Sequence, residues 1–458
     1  MSSGIMASTK LQLPGTRPEW KPAPDSLILY GVFAVLLFGP LAFGAVEPWS
    51  IFLLEAAAAL LFCRWIYQQV RGGAIQIRGN PLFGPMLTFA AVVLVQLLFR
   101  ITAYTHDTKE SALLYLAYLL LAFLASQTLN RSAQAKVLAG LIAAYGFMVA
   151  GFALLQALSG TTKLYWLRTP RSGGWIYGPY VNHNHYAGLM ELLLPIPLVM
   201  SLTRFTEGRM RTVAIAVAAL MVGTIFLSGS RGGMLDVIVQ LVFLGSLLLR
   251  MQRGPRVATS IGVFLVLVIG LLVWIGGGQL VDRLASFRSE TRTELSGGTR
   301  TSLNKDTLRM ALKRPVLGWG LGTFPIVYPQ FRTFYTNFYV NEAHDDYLQF
   351  LAETGVVGFI VLLWFIWLLY RNALKKLENW TTEINGSAAL ACLLGCTGIL
   401  VHSFVDFNLQ IPANAAWFYV LAVLAASPHA IETRQRVRRL RSRHASASLP
   451  DAPGEFPK

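Results

Sequence analysis

The chain alternates long apolar runs with short polar breaks. A helix needs about 20 apolar residues to cross a bilayer. Twelve segments read as such spans: 27–44, 50–67, 82–99, 111–128, 137–158, 186–202, 213–227, 233–249, 261–275, 355–370, 388–405 and 413–426. All are expected to be helical, because a lipid-exposed backbone must satisfy its own hydrogen bonds. The fold class that follows is an all-α polytopic membrane protein. The polar segments divide the chain into a polar N-terminus (1–26), a transmembrane domain (27–427) and a basic tail (428–458), with disorder expected after Arg443. Inside the domain, only 277–354 holds a long polar stretch between spans. No internal repeat is visible.

Composition agrees. Hydrophobic residues make up 54% of the 458 and charged residues 14%, where a soluble domain carries about 25% charged. The net charge of +16 is mostly a topology signal. One set of short loops holds Arg64, Arg71, Arg78, Arg131, Lys136, Arg204, Arg209, Arg211, Arg250, Arg253, Arg256, Arg371, Lys375 and Lys376. The positive-inside rule makes that side, with both termini, cytoplasmic. The opposite short loops hold fewer cations, so 282–342 is expected outside. A nucleic-acid partner is excluded, since no basic soluble domain exists. The basic tail is suited to anionic lipid heads. The first 24 residues lack a small-residue cleavage site, so the first span is expected to be retained. Cys63, Cys392 and Cys396 all fall within spans and are expected to serve apolar packing.

Four polar elements stand beside the spans on the outward side. Ser228-Gly229-Ser230-Arg231-Gly232-Gly233 places an arginine at a membrane edge among small residues, where a ligand can approach backbone. A snorkelling arginine is the plainer reading. In 299–315, Lys305, Arg309 and Lys313 recur every four residues and Leu308, Ala311 and Leu312 fall on another face, as in an amphipathic helix lying on a membrane. Arg300 sits near its start, where a helix N-terminus and a guanidinium both favour an anion such as phosphate.

Glu342-Ala343-His344-Asp345-Asp346 sets a histidine among carboxylates, a setting for a general base near neutral pH. The acids also suit the start of the next helix. A metal site there is disfavoured, because adjacent residues seldom converge on one ion. His402 and Asp406 are one helical turn apart and are expected to pair as a structural lock. Asn182-His183-Asn184-His185 opens the sixth span, where its side chains can cap the helix or hydrogen-bond a sugar.

In order, Asn182-His183-Asn184-His185, Ser228-Gly229-Ser230-Arg231-Gly232, Arg300 fifteen residues before Pro315, Gly318-Trp319-Gly320-Leu321-Gly322-Thr323-Phe324, Ala343-His344-Asp345-Asp346-Tyr347-Leu348-Gln349 and His402…Asp406-Phe407-Asn408…Asn414 form a set. Over roughly 180–415 the chain resembles the O-antigen ligase and polymerase superfamily. The resemblance implies a membrane glycosyltransferase of the C-type (GT-C) fold in the bacterial inner membrane, with its active site on the periplasmic face. It implies a glycan donor on undecaprenyl diphosphate and, as acceptor, lipid A–core for a ligase or another repeat unit for a polymerase.

By position, Arg231 and Arg300 match the diphosphate-binding arginines and His344 the essential histidine. Asn182, Asn184 and Tyr347 are placed with the substrate, and Asp346, His402 and Asp406 in support. Asp345 departs from a usual asparagine and His183 from a common proline. No metal and no cofactor are expected, since two arginines can meet the leaving-group charge.

A secondary transporter or flippase fits the span count. It should show repeats and ionisable residues near span centres, whereas the notable charges here are read at the outer edge. A non-catalytic assembly scaffold would not need Arg231, Arg300 and His344 together.

Overall fold

The computed structural model describes residues 10–12, 26–170, 175–250, 259–270, 297–336, 339–429 and 431. Most of the polar N-terminus, the end of the ninth predicted span, residues 282–296 and the basic tail lie outside the described residues.

The described residues are dominated by helices: α1 (Ser26–Leu41), α2 (Pro48–Arg71), α3 (Phe83–Leu98), α4 (Thr105–Thr128), α5 (Ser132–Leu158), α6 (His183–Leu193), α7 (Pro195–Leu202), α8 (Gly208–Ser228), α9 (Arg231–Arg250), α10 (Thr259–Gly270), α11 (Gly297–Lys313), α12 (Phe324–Val327), α13 (Asp346–Leu374), α14 (Ile384–His402) and α15 (Pro412–Ala426). One short antiparallel pair joins Lys10–Gln12 to Ala74–Gln76.

Every predicted apolar run falls on one of these helices. Among the described residues, eight are long and apolar enough to cross a membrane, counting α6 and α7 as one stretch. The other four, α1, α3, α10 and α15, are apolar but shorter over the described residues, α10 being described only as far as Gly270. A run of apolar residues marks a buried or lipid-facing helix but does not set its length, so the expected twelve divide into eight and four.

The α6–α7 stretch is the axis of the bundle, with 94% of its apolar window buried. Pro195, at the start of α7, breaks it in two. α14 packs on α6, α7, α9 and α15, while α15 reaches across to α4. Fully buried Trp417 ties the core together by donating its indole N–H to the Leu36 carbonyl at 2.9 Å. At the rim, α2 exposes Phe52 and Leu60, as a lipid-facing helix does. Cys392 and Cys396 are buried and Cys63 exposed, and all three are free thiols.

A small second core covers one end of the bundle. Leu303, Met310 and Ala311 of α11 pack with Phe324, Val327, Tyr328, Ala343 and Ala352. The apolar face expected on α11 is therefore displaced. Ala311 is buried, but Leu308 and Leu312 are exposed, because the helix turns Leu303 and Met310 toward the start of α13.

The glycine-rich loop 318–324 lies against a kink in α13. Gly355 takes φ 66° and ψ −170° inside that helix. The kink lets Val356 N–H reach the Pro315 carbonyl at 2.7 Å, Trp319 N–H reach Ala352 O at 3.0 Å and Gly320 N–H reach Glu353 O at 2.9 Å. Gly318, at φ 69°, passes so close that a Cβ there would overlap the Glu353 backbone. The Glu353 carboxylate accepts from Gly322 N–H at 3.0 Å and Phe324 N–H at 3.1 Å. Gln96 of α3 donates to both Leu317 O and Glu353 O. The loop motif is thus a backbone-to-backbone joint, and its glycines supply close approach.

Candidate active site

The site is organised by the turn between α14 and α15. α14 ends at His402, and Asp346 N–H at the start of α13 donates to the Ser403 carbonyl at 2.8 Å. The Asp346 carboxylate accepts from Ser403 Oγ at 2.8 Å, Leu409 N–H at 3.1 Å and Gln410 Nε2 at 3.3 Å. Asp345 caps α13, accepting from Leu348 N–H at 3.0 Å; burial raises its carboxyl above the usual range, against the pull of the Leu348 and Tyr347 amides.

His344 lies between two anchored residues. Ala343 N–H donates to Gln349 Oε1 at 2.8 Å, and Gln349 Nε2 donates to the Glu342 carboxylate. The chain crosses from one anchor to the other with His344 in the left-handed region, at φ 53°. Such a backbone is held only when its surroundings over-determine it, and it clusters at functional sites. The result is that His344 Nδ1 comes to 3.2 Å from Asp406 Oδ1, with the His344 side chain 21% exposed and Asp406 1%.

Asp406 Oδ1 also accepts from Phe407 N–H at 2.9 Å. Burial alone would raise the Asp406 carboxyl, but the hydrogen bond and charge of His344, with Arg300 and His185, hold it well below the usual range. An ionised Asp406 requires Nδ1 to be the donor, which leaves Nε2 as the free basic nitrogen.

Arg300 reaches the same turn, donating from Nη1 to the Val405 carbonyl at 3.0 Å; its Nε is buried with no hydrogen-bond partner among the described residues. Arg231 opens α9 one residue after Ser230, whose hydroxyl accepts from Gly233 N–H at 3.2 Å. Gly229 ends α8 in the left-handed region at φ 75°. A Cβ on Gly232 would meet Val405 Cγ2 at 3.1 Å and His402 Nε2 at 2.5 Å. The starts of α9, α11 and α13 therefore all bear on residues 402–406, through Gly232 beside Arg231, through Arg300 and through His344.

On the other side of that turn, the Phe407 ring sits between two histidines, 4.7 Å from the His344 centroid and 4.7 Å from His185. His185 is buried and its Nε2 lacks a hydrogen-bond partner among the described residues. Asn182 caps α6, its side chain accepting from Asn184 N–H at 2.8 Å, and the His183 ring packs at a tilt against Trp175, centroids 4.6 Å apart. Buried Asn184 lies in the first turn of α6. Tyr347 donates its hydroxyl to Leu400 O at 2.6 Å and packs on Phe404, so this residue braces α13 on α14.

One expected pairing is corrected. His402 does not pair with Asp406. Its Nδ1 turns inward, 3.0 Å from Glu191 Oε1 and 3.1 Å from Asp236 Oδ2. The turn keeps one helical backbone bond, Asp406 N–H to His402 O at 3.0 Å, but the two side chains part, Asp406 toward His344 and His402 toward the interior of the bundle. Glu191 and Asp236 escaped the sequence reading altogether. They lie inside apolar spans, which is itself a signal, since ionisable residues there are costly and tend to have a role. Asp306, also missed, is buried and holds the 331–336 segment by accepting from Thr333 N–H at 2.9 Å.

One of two cavities adjoins these residues. It measures about 320 Å³, lies between α3, α4, α13 and α15 and is lined by Phe89, Tyr115, Phe350 and Tyr419, with Asp346 and Tyr347 among its walls. A larger one of about 510 Å³, bordered by Lys136, Glu207 and Lys376, lies at the opposite end of the bundle and touches none of the residues above.

No curated protein matches the chain significantly. Residues 216–363 match the family model described as O-antigen ligase, a stretch that holds Arg231, Arg300 and His344, and the match supports placing the chain in the O-antigen ligase and polymerase superfamily.

Proposed function

We propose that this protein is a glycosyltransferase of the GT-C type that moves a glycan from undecaprenyl diphosphate to an acceptor such as lipid A–core, on the periplasmic face of the bacterial inner membrane. The observation that carries the reading is the His344–Asp406 pair with Arg300 bound to the adjacent carbonyl. His344 Nε2 takes the proton of the acceptor hydroxyl. The acceptor oxygen forms its bond to the anomeric carbon as the bond from that carbon to the diphosphate oxygen breaks. The electron pair leaves with the diphosphate, where Arg231 and Arg300 meet the charge in place of a metal. Attack opposite the leaving group inverts the anomeric centre. Asn182 and Asn184 flank the sugar, and Tyr347 lines the apolar cavity, which suits the start of a polyprenyl chain.

Deletion of the gene in its host, followed by gel analysis of glycans, tests this. Full-length chains stranded on the carrier lipid support the ligase reading. A single repeat on the acceptor identifies a polymerase instead. An unchanged glycan profile overturns both.

A further inference from the structure

Beneath the 402–406 turn, three helices each turn one ionisable side chain to a common point. Glu191 comes from α6, Asp236 from α9 and His402 from α14, and their side chains are 0%, 0% and 1% exposed. One ligand atom from each can be chosen so that all lie within 4.8 Å of one another. His402 Nδ1 faces three oxygens, at 3.0 and 3.1 Å for Glu191 and 3.1 Å for Asp236 Oδ2.

That arrangement is short of positive charge. One Nδ1 carries at most one proton, so it can serve one oxygen well. Fully buried Asp236 has only the 3.1 Å ion-pair contact of Oδ2 with His402 Nδ1, which Glu191 shares, and its Oδ1 has no hydrogen-bond partner among the described residues. Two carboxylates facing one imidazole hold at most one counter-charge between them, so either a proton shared by the acids or a bound cation has to balance the cluster.

The geometry points to a divalent transition cation, of the zinc class, held by Glu191, Asp236 and His402 Nδ1. Carboxylate oxygen and imidazole nitrogen are the donors that such ions take. Tetrahedral ligands at about 2.1 Å from the ion stand roughly 3.4 Å apart, so His402 Nδ1 has to draw back from each acid by only about 0.3 Å, and the two acids already lie within 4.8 Å of each other. His402 Nε2 faces Gly232, which leaves Nδ1 as the nitrogen directed at the acids. Gln240, one turn along α9 from Asp236, donates to Glu191 O at 2.9 Å and Leu394 O at 3.1 Å, fixing the backbones that carry the ligands. The ion would staple α6, α9 and α14 below the turn that holds Asp406. It is separate from the residues placed at the diphosphate and takes no part in transfer.

The test is the metal content of the full chain, purified in detergent without chelator and measured by plasma mass spectrometry. About one equivalent per chain of a first-row divalent ion is expected, retained in His344→Gln and lost at least tenfold in Asp236→Asn. A wild type that carries no such ion and takes none up from added zinc overturns the site. So does an Asp236→Asn protein that keeps its full equivalent. Should that variant fail to insert, wild type exchanged with cobalt(II) decides. Intense four-coordinate visible absorption supports the site, and the weak spectrum of the hydrated ion refutes it.

Discussion

His344 and Asp406 are brought from separate loops to an Nδ1–Oδ1 distance of 3.2 Å, with the carboxylate buried beneath the partly exposed ring. The acid orients the ring, which stays partly exposed, and leaves its other nitrogen outside the pair. His344→Ala is expected to lower single-turnover transfer by roughly 10²–10⁴-fold while donor binding holds. Asp406→Asn keeps the shape but permits the wrong tautomer, and should lose rate without losing donor. Near-normal transfer by either correctly inserted variant would remove the base assignment.

Arg300 anchors through Nη1 to Val405 O, and its buried Nε has no hydrogen-bond partner among the described residues; in the proposed reaction this side chain meets the diphosphate. Arg300→Ala should cost about a hundredfold in rate, as the loss of one preorganised donor does. Lysine should rescue only partly, because it lacks the planar fork. Equal activity of the lysine and arginine proteins would show that geometry at this position is unimportant.

Glu342 gives a pH signature. Burial pushes its carboxyl up to about 8, against the Gln349 hydrogen bond. The folded state thus holds a proton that an unfolded chain releases near pH 4.3. The stabilisation is fully present below that unfolded value and is lost as pH rises to about 8. Partial exposure of the side chain limits its size. Thermal melts from pH 5 to 8 should therefore fall more for wild type than for Glu342→Gln. Parallel curves would refute the assignment.

Sidedness is directly measurable. Tyr335 is 85% exposed in the segment after α12. A cysteine placed there, in a background lacking exposed Cys63, should react with an impermeant thiol reagent on right-side-out vesicles. Labelling only after permeabilisation would put the site on the cytoplasmic face.

The sequence made some of this legible and hid the rest for physical reasons. Apolar runs located the helices because burial in lipid or core demands them. Asp345 was readable as a helix-start acid because capping is local. The partner of Asp406 was not readable, since it depends on where α14 stops and on the left-handed backbone at His344. Glu191 and Asp236 meet across helices, and a run of apolar residues does not reveal which way each helix is rotated. The same lack of rotational information hid the outward turn of Leu308 and Leu312.

The kink at Gly355 has a mechanical consequence. Backbone meets backbone there, with Gly318 passing Glu353 and no side chain between them to rearrange. Such a joint cannot slide by repacking rotamers, so α13, the 315–324 loop and the Gln96 clamp of α3 behave as a single stiff plate. The same plate reaches the 402–407 turn, because Asp346 N–H of α13 holds the Ser403 carbonyl at 2.8 Å, so any change in the shape of the site has to be carried by side chains such as Phe407 rather than by the backbone beneath them.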